Sequence, residues 1–110
     1  MAKIAQIPLG TAPYGTGRYA AMLNLTPAEI SERFGLAFER VRDDLDDVDL
    51  VSIRTEAGVY AILGFYVNAP KKGIDVYIRD EADDPHAELE DVLKSLKVTD
   101  ADIIWTDFGK

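Results

Sequence analysis

Thr26-Pro27-Ala28-Glu29-Ile30-Ser31-Glu32-Arg33-Phe34-Gly35-Leu36-Ala37-Phe38-Glu39-Arg40-Val41-Arg42-Asp43-Asp44-Leu45-Asp46-Asp47-Val48-Asp49 opens on a helix signal and closes on a run of acid. How the chain passes from one to the other decides the fold. Thr26 suits an N-cap, Pro27 the first helical position, and Glu29 completes a capping box with Thr26. From there Ile30, Phe34, Phe38, Val41 and Leu45 recur at steps of four, four, three and four, which is one face of a helix. Gly35 interrupts that face, and a mid-helix glycine costs about 1 kcal/mol relative to alanine. Two arrangements fit: one long helix from Pro27 to Asp46, or two helices meeting at a bend near Gly35. Leu36 favours the bend, because in a continuous helix it points away from the apolar face.

Working outward, Leu50 to Glu56 alternates, with Val51 and Ile53 on one side and Ser52 and Arg54 on the other, so it reads as a strand. Ala57-Gly58 turns the chain. Val59 to Val67 is apolar on both sides, as in a central strand covered at least in part on both faces. Gly64 marks a bulge or a close backbone approach. Ile74 to Arg79 is a strand with Ile74, Val76 and Ile78 inward and Asp75, Tyr77 and Arg79 outward. Asp84-Pro85 opens a second helix whose stripe is Leu89, Val92, Leu93 and Leu96. Towards the N-terminus, Arg18 to Leu25 is a short strand or an irregular segment, Gly10 to Gly17 a turn-rich loop, and Lys3 to Leu9 an edge strand. Ile103 to Phe108 is a last short strand. The expected fold is therefore α+β, a single domain over 1–110. It has an antiparallel sheet of four to five strands, an N-terminal helix or bent helix pair, and an amphipathic helix in the C-terminal half.

A chain of 110 residues can bury a core without covalent staples. It contains no cysteine, which excludes disulfides, a thiolate nucleophile and any cysteine-based metal site. Met1 to Pro8 lacks the apolar core of a signal peptide, and no apolar run approaches the roughly 18–20 residues of a membrane span. A soluble, cytoplasmic protein with no membrane partner is expected. Twenty acidic against 12 basic side chains leave a formal charge of −8, which repels nucleic acid at long range and favours basic partners.

The acid is clustered. Asp43, Asp44, Asp46, Asp47 and Asp49 fall within seven residues, at what either helical arrangement makes a helix C-terminus. The helix dipole and like-charge crowding both disfavour carboxylates there, and local rules are often broken at functional sites. Asp80 to Asp91 forms a second cluster, part of which serves to cap the second helix. Asp44-x-Asp46 and Asp47-x-Asp49 alternate as calcium ligands do, but the glycine of a calcium loop does not follow. His86, the only histidine, has no serine or cysteine partner nearby in sequence, and Gly10 to Gly17 lacks phosphate-loop spacing. No cofactor, metal or catalytic residue is expected, and an enzyme is the least supported class. Tyr60 and Tyr66 share one side of the middle strand if no bulge intervenes. Tyr77 is on the polar side of the next strand, where an exposed tyrosine would make a binding anchor.

Residues 29–45, through the spacing of Ile30, Phe34, Gly35, Leu36, Val41 and Leu45, resemble a helix-turn-helix segment with the following hairpin as a wing. That resemblance implies a DNA-binding regulator using Arg40 and Arg42. Its second helix runs into carboxylates that would face phosphate, which is the wrong chemistry. In size, a pI near 4.5, absence of cysteine and clustered acid, the chain resembles the small acidic bacterial immunity and antitoxin proteins. This second resemblance implies a non-enzymatic protein-binding module, an inhibitor of a basic partner such as a toxin or nuclease. Asp43, Asp44, Asp46, Asp47 and Asp49 would be the contact residues and Tyr77 an apolar anchor.

Overall fold

A computed structural model of the chain describes residues 4–7, 17–43, 46–69, 73–79 and 83–106, with side chains left out at 17, 18, 43, 46 and 79. In chain order the elements are β1 (Ile4–Ile7), β2 (Gly17–Leu23), α1 (Pro27–Phe34), β3 (Glu39–Asp43), β4 (Asp46–Thr55), β5 (Tyr60–Tyr66), β6 (Ile74–Arg79), α2 (Pro85–Ser95) and β7 (Ile103–Thr106). The strands form one seven-stranded antiparallel sheet in the order β1-β4-β5-β6-β2-β7, with β3 also paired to β4. This corrects the α+β expectation of four to five strands. The described chain is mostly β, with two short helices.

The correction lies in the deciding stretch. The capping box forms as expected: Thr26 Oγ1 accepts from the Glu29 amide at 3.2 Å and Glu29 Oε1 accepts from the Thr26 amide at 3.0 Å. The helix then stops at Phe34, because Gly35 takes the left-handed conformation (φ 68°, ψ 25°) and donates its amide to the Ser31 carbonyl. That is a helix-ending geometry, and only glycine enters it without a Cβ penalty. Neither the long helix nor the bent pair exists. Beyond Gly35 the chain is extended and the apolar period becomes two. Leu36 and Phe38 join the core, whereas Val41 pairs with Val48 on the opposite side of the sheet.

β4 is long enough to carry two partners along one edge. β1 lies against Ser52–Thr55 and β3 against Asp46–Leu50. The Gln6 side chain links these two segments. Its amide nitrogen donates to the Ala37 carbonyl at 2.9 Å, and its oxygen accepts from the Ala37 amide at 2.8 Å, as a paired backbone would.

Both helices face one side of this sheet. Ile30 of α1 and Leu89, Val92 and Leu96 of α2 share a buried cluster with Val51, Ile53, Ala61, Leu63, Val76 and Ile78. Full burial of a side chain of this kind contributes about 1.5–3 kcal/mol, so this face holds the molecule together. α2 starts where expected, with Asp84 accepting from the Ala87 amide at 3.2 Å. It is tied to β4 by a hydrogen bond from the Thr55 hydroxyl to Asp91 at 2.5 Å.

Candidate functional site

The far side of the sheet, opposite the helices, carries Val41, Val48, Leu50, Ser52, Ile62, Gly64, Tyr66, Asp75, Tyr77, Tyr19, Met22 and Trp105 by register. Two rows across the strands organise it. One runs Ser52–Ile62–Tyr77–Tyr19 and the next Leu50–Gly64–Asp75–Met22–Trp105. Gly64 makes no bulge, and what approaches it closely is side chains and not another backbone. A Cβ there would lie 3.1 Å from Leu50 and 3.7 Å from the Tyr77 ring, so its absence lets these side chains close over the strand.

The bulge is in β2. Between Tyr19 and Ala21 the register shifts by one residue, and Ala20 and Ala21 are both fully buried. Uninterrupted alternation would put Tyr19 on the helix side with Ala21 and Leu23. The extra residue turns it to the far side, opposite Tyr77. There the rings assemble. Tyr19 and Tyr77 have centroids 5.5 Å apart, and Tyr19 and Trp105 4.9 Å apart, tilted by 36° and 35°. Tyr19 and Trp105 are 41% and 40% exposed, the two large hydrophobic side chains left open to solvent among the described residues.

Asp75 lies among these rings. Its Oδ1 is buried with no hydrogen-bond partner. Burial pushes the Asp75 carboxyl above the usual carboxylate range, offset in part by a hydrogen bond from the Tyr19 hydroxyl. The same neighbourhood pushes the Tyr19 phenol up to about 12, by burial first and then by the Asp75 charge. Tyr77 is raised too, by burial, by Asp75 and by a hydrogen bond with Tyr66. Tyr19 and Tyr77 are therefore protonated donors at neutral pH. Ser52, 1% exposed, has its hydroxyl buried without a partner on this same side of the sheet.

The acidic run of the deciding stretch is arranged otherwise. Asp43 ends β3 and Asp46 begins β4, with their side chains outside the description; Asp44 lies outside the described residues. Asp47 and Asp49 sit in β4 facing Arg42 and Arg40 across the hairpin. Arg40 binds Asp49 through Nε and Nη2, and Arg42 reaches Asp47 at 3.3 Å. These two carboxylates are at no helix C-terminus, and the chain's own arginines occupy them. Such exposed pairs add little to stability, but they remove two charges from any surface offered to a partner. Asp84 and Asp91, in the second cluster, are likewise engaged within the fold. Arg40 and Arg42 stand on a strand, so the recognition helix of a helix-turn-helix does not form.

A scan against family models and searches of curated proteins and solved structures find no match. The site must be read from its own chemistry. Among the described residues no group of three His, Cys, Asp or Glu side chains is placed to hold a metal ion. His86 is exposed on α2, 3.9 Å from Glu90. A groove between β1 and the β4–β5 turn is rimmed by Arg54, Glu56 and Tyr60. No described helix is long and apolar enough to cross a membrane.

Of the residues singled out in the sequence, Tyr77 lies in the aromatic group. Tyr19, Asp75 and Trp105 were not singled out. Alternation in β6 already turned Asp75 outward beside Tyr77. Nothing local shows that β2 and β7 come alongside.

Proposed function

We propose that this chain is a non-catalytic binding module for a basic protein, making contact through the far side of its sheet. The observation that carries the reading is the group Tyr19, Tyr77 and Trp105 around Asp75. Aromatic surface is left open there beside a carboxylate oxygen without a partner. Tyrosine and tryptophan are the usual anchors of protein interfaces. A buried acceptor left unsatisfied costs about 1–3 kcal/mol, a cost that an incoming donor would remove. The net charge of −8 steers cationic partners towards the molecule over a Debye length. Within this class, an inhibitor of a basic toxin or nuclease is the form that the small size and acidity favour.

The test is capture from the native host with the intact chain and with a Tyr19→Ala/Trp105→Ala variant as baits, after melting curves establish that both fold. The captured protein is then purified and its affinity re-measured with each. A basic protein held by the native chain and at least about tenfold more weakly by the variant supports the reading. Equal affinity for both chains overturns it.

A further inference from the structure

We infer that the Tyr19–Asp75–Tyr77–Trp105 group is a guanidinium site, which takes an arginine side chain of the partner. This inference rests on the binding-module reading and names the group recognised.

Three features on the far side of the sheet point to a cation. Aromatic faces carry negative quadrupole density and attract cations placed over them. Tyr19 and Trp105 present such faces at a centroid separation of 4.9 Å, each with about two-fifths of its surface free. Behind them, the Asp75 carboxylate has roughly four lone-pair positions. The Tyr19 hydroxyl occupies one, and Oδ1 has no partner. The surrounding hydroxyls of Tyr19, Tyr66 and Tyr77 are already committed to Asp75 or to one another, so the donor that Oδ1 lacks has to come from outside this group.

The choice of arginine over lysine follows from desolvation. An ammonium is a compact, strongly hydrated charge, whereas guanidinium is planar and weakly hydrated, stacks on rings and donates to a carboxylate in a fork. A half-buried carboxylate lined by rings suits the second. Oδ1 is covered in the free protein, so entry requires Tyr19, 41% exposed, to move aside. That motion gives up the Tyr19 contacts with Tyr77 and Trp105 and its bond to Asp75, which the guanidinium has to replace. The guanidinium would then take over the Asp75 bonds while lying between Tyr19 and Trp105.

Trp105 is the only tryptophan of the chain, so its emission reports occupancy directly. The experiment titrates the native chain, Asp75→Asn and Glu32→Gln with hexa-arginine and hexa-lysine peptides at low salt. Binding is followed by Trp105 fluorescence and by calorimetry. Glu32 is an exposed acid on α1, the opposite side of the sheet, and its neutralisation changes net charge by the same amount. Expected are a Trp105 shift with hexa-arginine and a several-fold preference over hexa-lysine. Asp75→Asn should weaken binding about tenfold and Glu32→Gln hardly at all.

Equal weakening by both variants would mean diffuse attraction to an acidic protein. That overturns the guanidinium site and leaves the basic-partner reading standing. Hexa-lysine binding as tightly as hexa-arginine, with the same dependence on Asp75, overturns the choice of guanidinium. No binding of either peptide overturns both readings. The Arg/Lys comparison needs no variant, so it holds even if a substitution perturbs the fold.

Discussion

Burial lifts the Asp75 carboxyl above the ordinary carboxylate range, and the Tyr19 hydroxyl pulls it part of the way back. The sign of the consequence for stability is fixed by linkage. Between the ordinary value of 3.8 and the raised folded value, the folded chain holds a proton that the unfolded chain has lost. Stability therefore falls as pH rises through that window, and the penalty is complete above it. The groups facing Asp75 are Tyr19 of β2 and Tyr77 of its own strand, both phenols that keep their protons across this range. Asp75→Asn should thus melt higher than the native chain at pH 7, with the gap closing as pH is lowered towards 3.8. Thermal melts at several pH values check this. A variant less stable at neutral pH, or a gap that does not change with pH, would show that the carboxylate is not desolvated. The outward direction of Asp75 and Tyr77 was readable from alternation within Ile74 to Arg79. That of Tyr19 was not, because one extra residue at Ala20 reverses it.

At the scale of elements, the segment after Gly35 is where apolar spacing misleads. Ile30, Phe34, Phe38, Val41 and Leu45 match a helical period, yet Leu36 and Phe38 alternate with Ala37 and Glu39 equally well as a strand. A glycine in the left-handed region ends α1, and β4 then supplies five residues of antiparallel pairing with Arg40 and Arg42 set opposite Asp49 and Asp47. Replacing Gly35 puts a Cβ at φ 68°, which costs about 1 kcal/mol. Gly35→Ala should lower stability by that amount while leaving helix content unchanged, because the sheet holds the following residues in place. Denaturant melts and far-ultraviolet circular dichroism measure the two quantities. A gain in helical signal would mean that Gly35 alone keeps residues 36–43 out of a helix.

For the molecule as a whole, clustering of acid in sequence and availability of acid in space are different properties. Asp47 and Asp49 are adjacent to Asp43–Asp46 along the chain, but strand pairing delivers them to Arg40 and Arg42. Neutralising them also frees two arginines, so an Asp47→Asn/Asp49→Asn variant loses two negative charges without losing an acidic patch. Its association with a basic partner should slow only as much as removal of any two exposed acids, by less than about threefold at physiological salt. Stopped-flow association rates against salt concentration test this. A slowing of tenfold or more, with a flattened salt dependence, would restore the acidic run as the contact surface.

Composition, periodicity and turn chemistry were enough by themselves to determine β5, β6, α2, the start of α1 and β4 from Leu50 onward, but not its first residues, Asp46 to Asp49. Each is set by residues within a turn or two: the Thr26 and Asp84 caps, the Ala57-Gly58 turn, the alternation of Ile74 to Arg79. What only the tertiary structure decided is which strands lie side by side, and therefore what stands on each side of the sheet. Tyr19, Asp75 and Trp105 are 56 and 30 residues apart along the chain and meet because β6, β2 and β7 are neighbours. Backbone hydrogen bonding between strands is the same for every pair, so the order is chosen by long-range burial on the helix side, which no local pattern encodes.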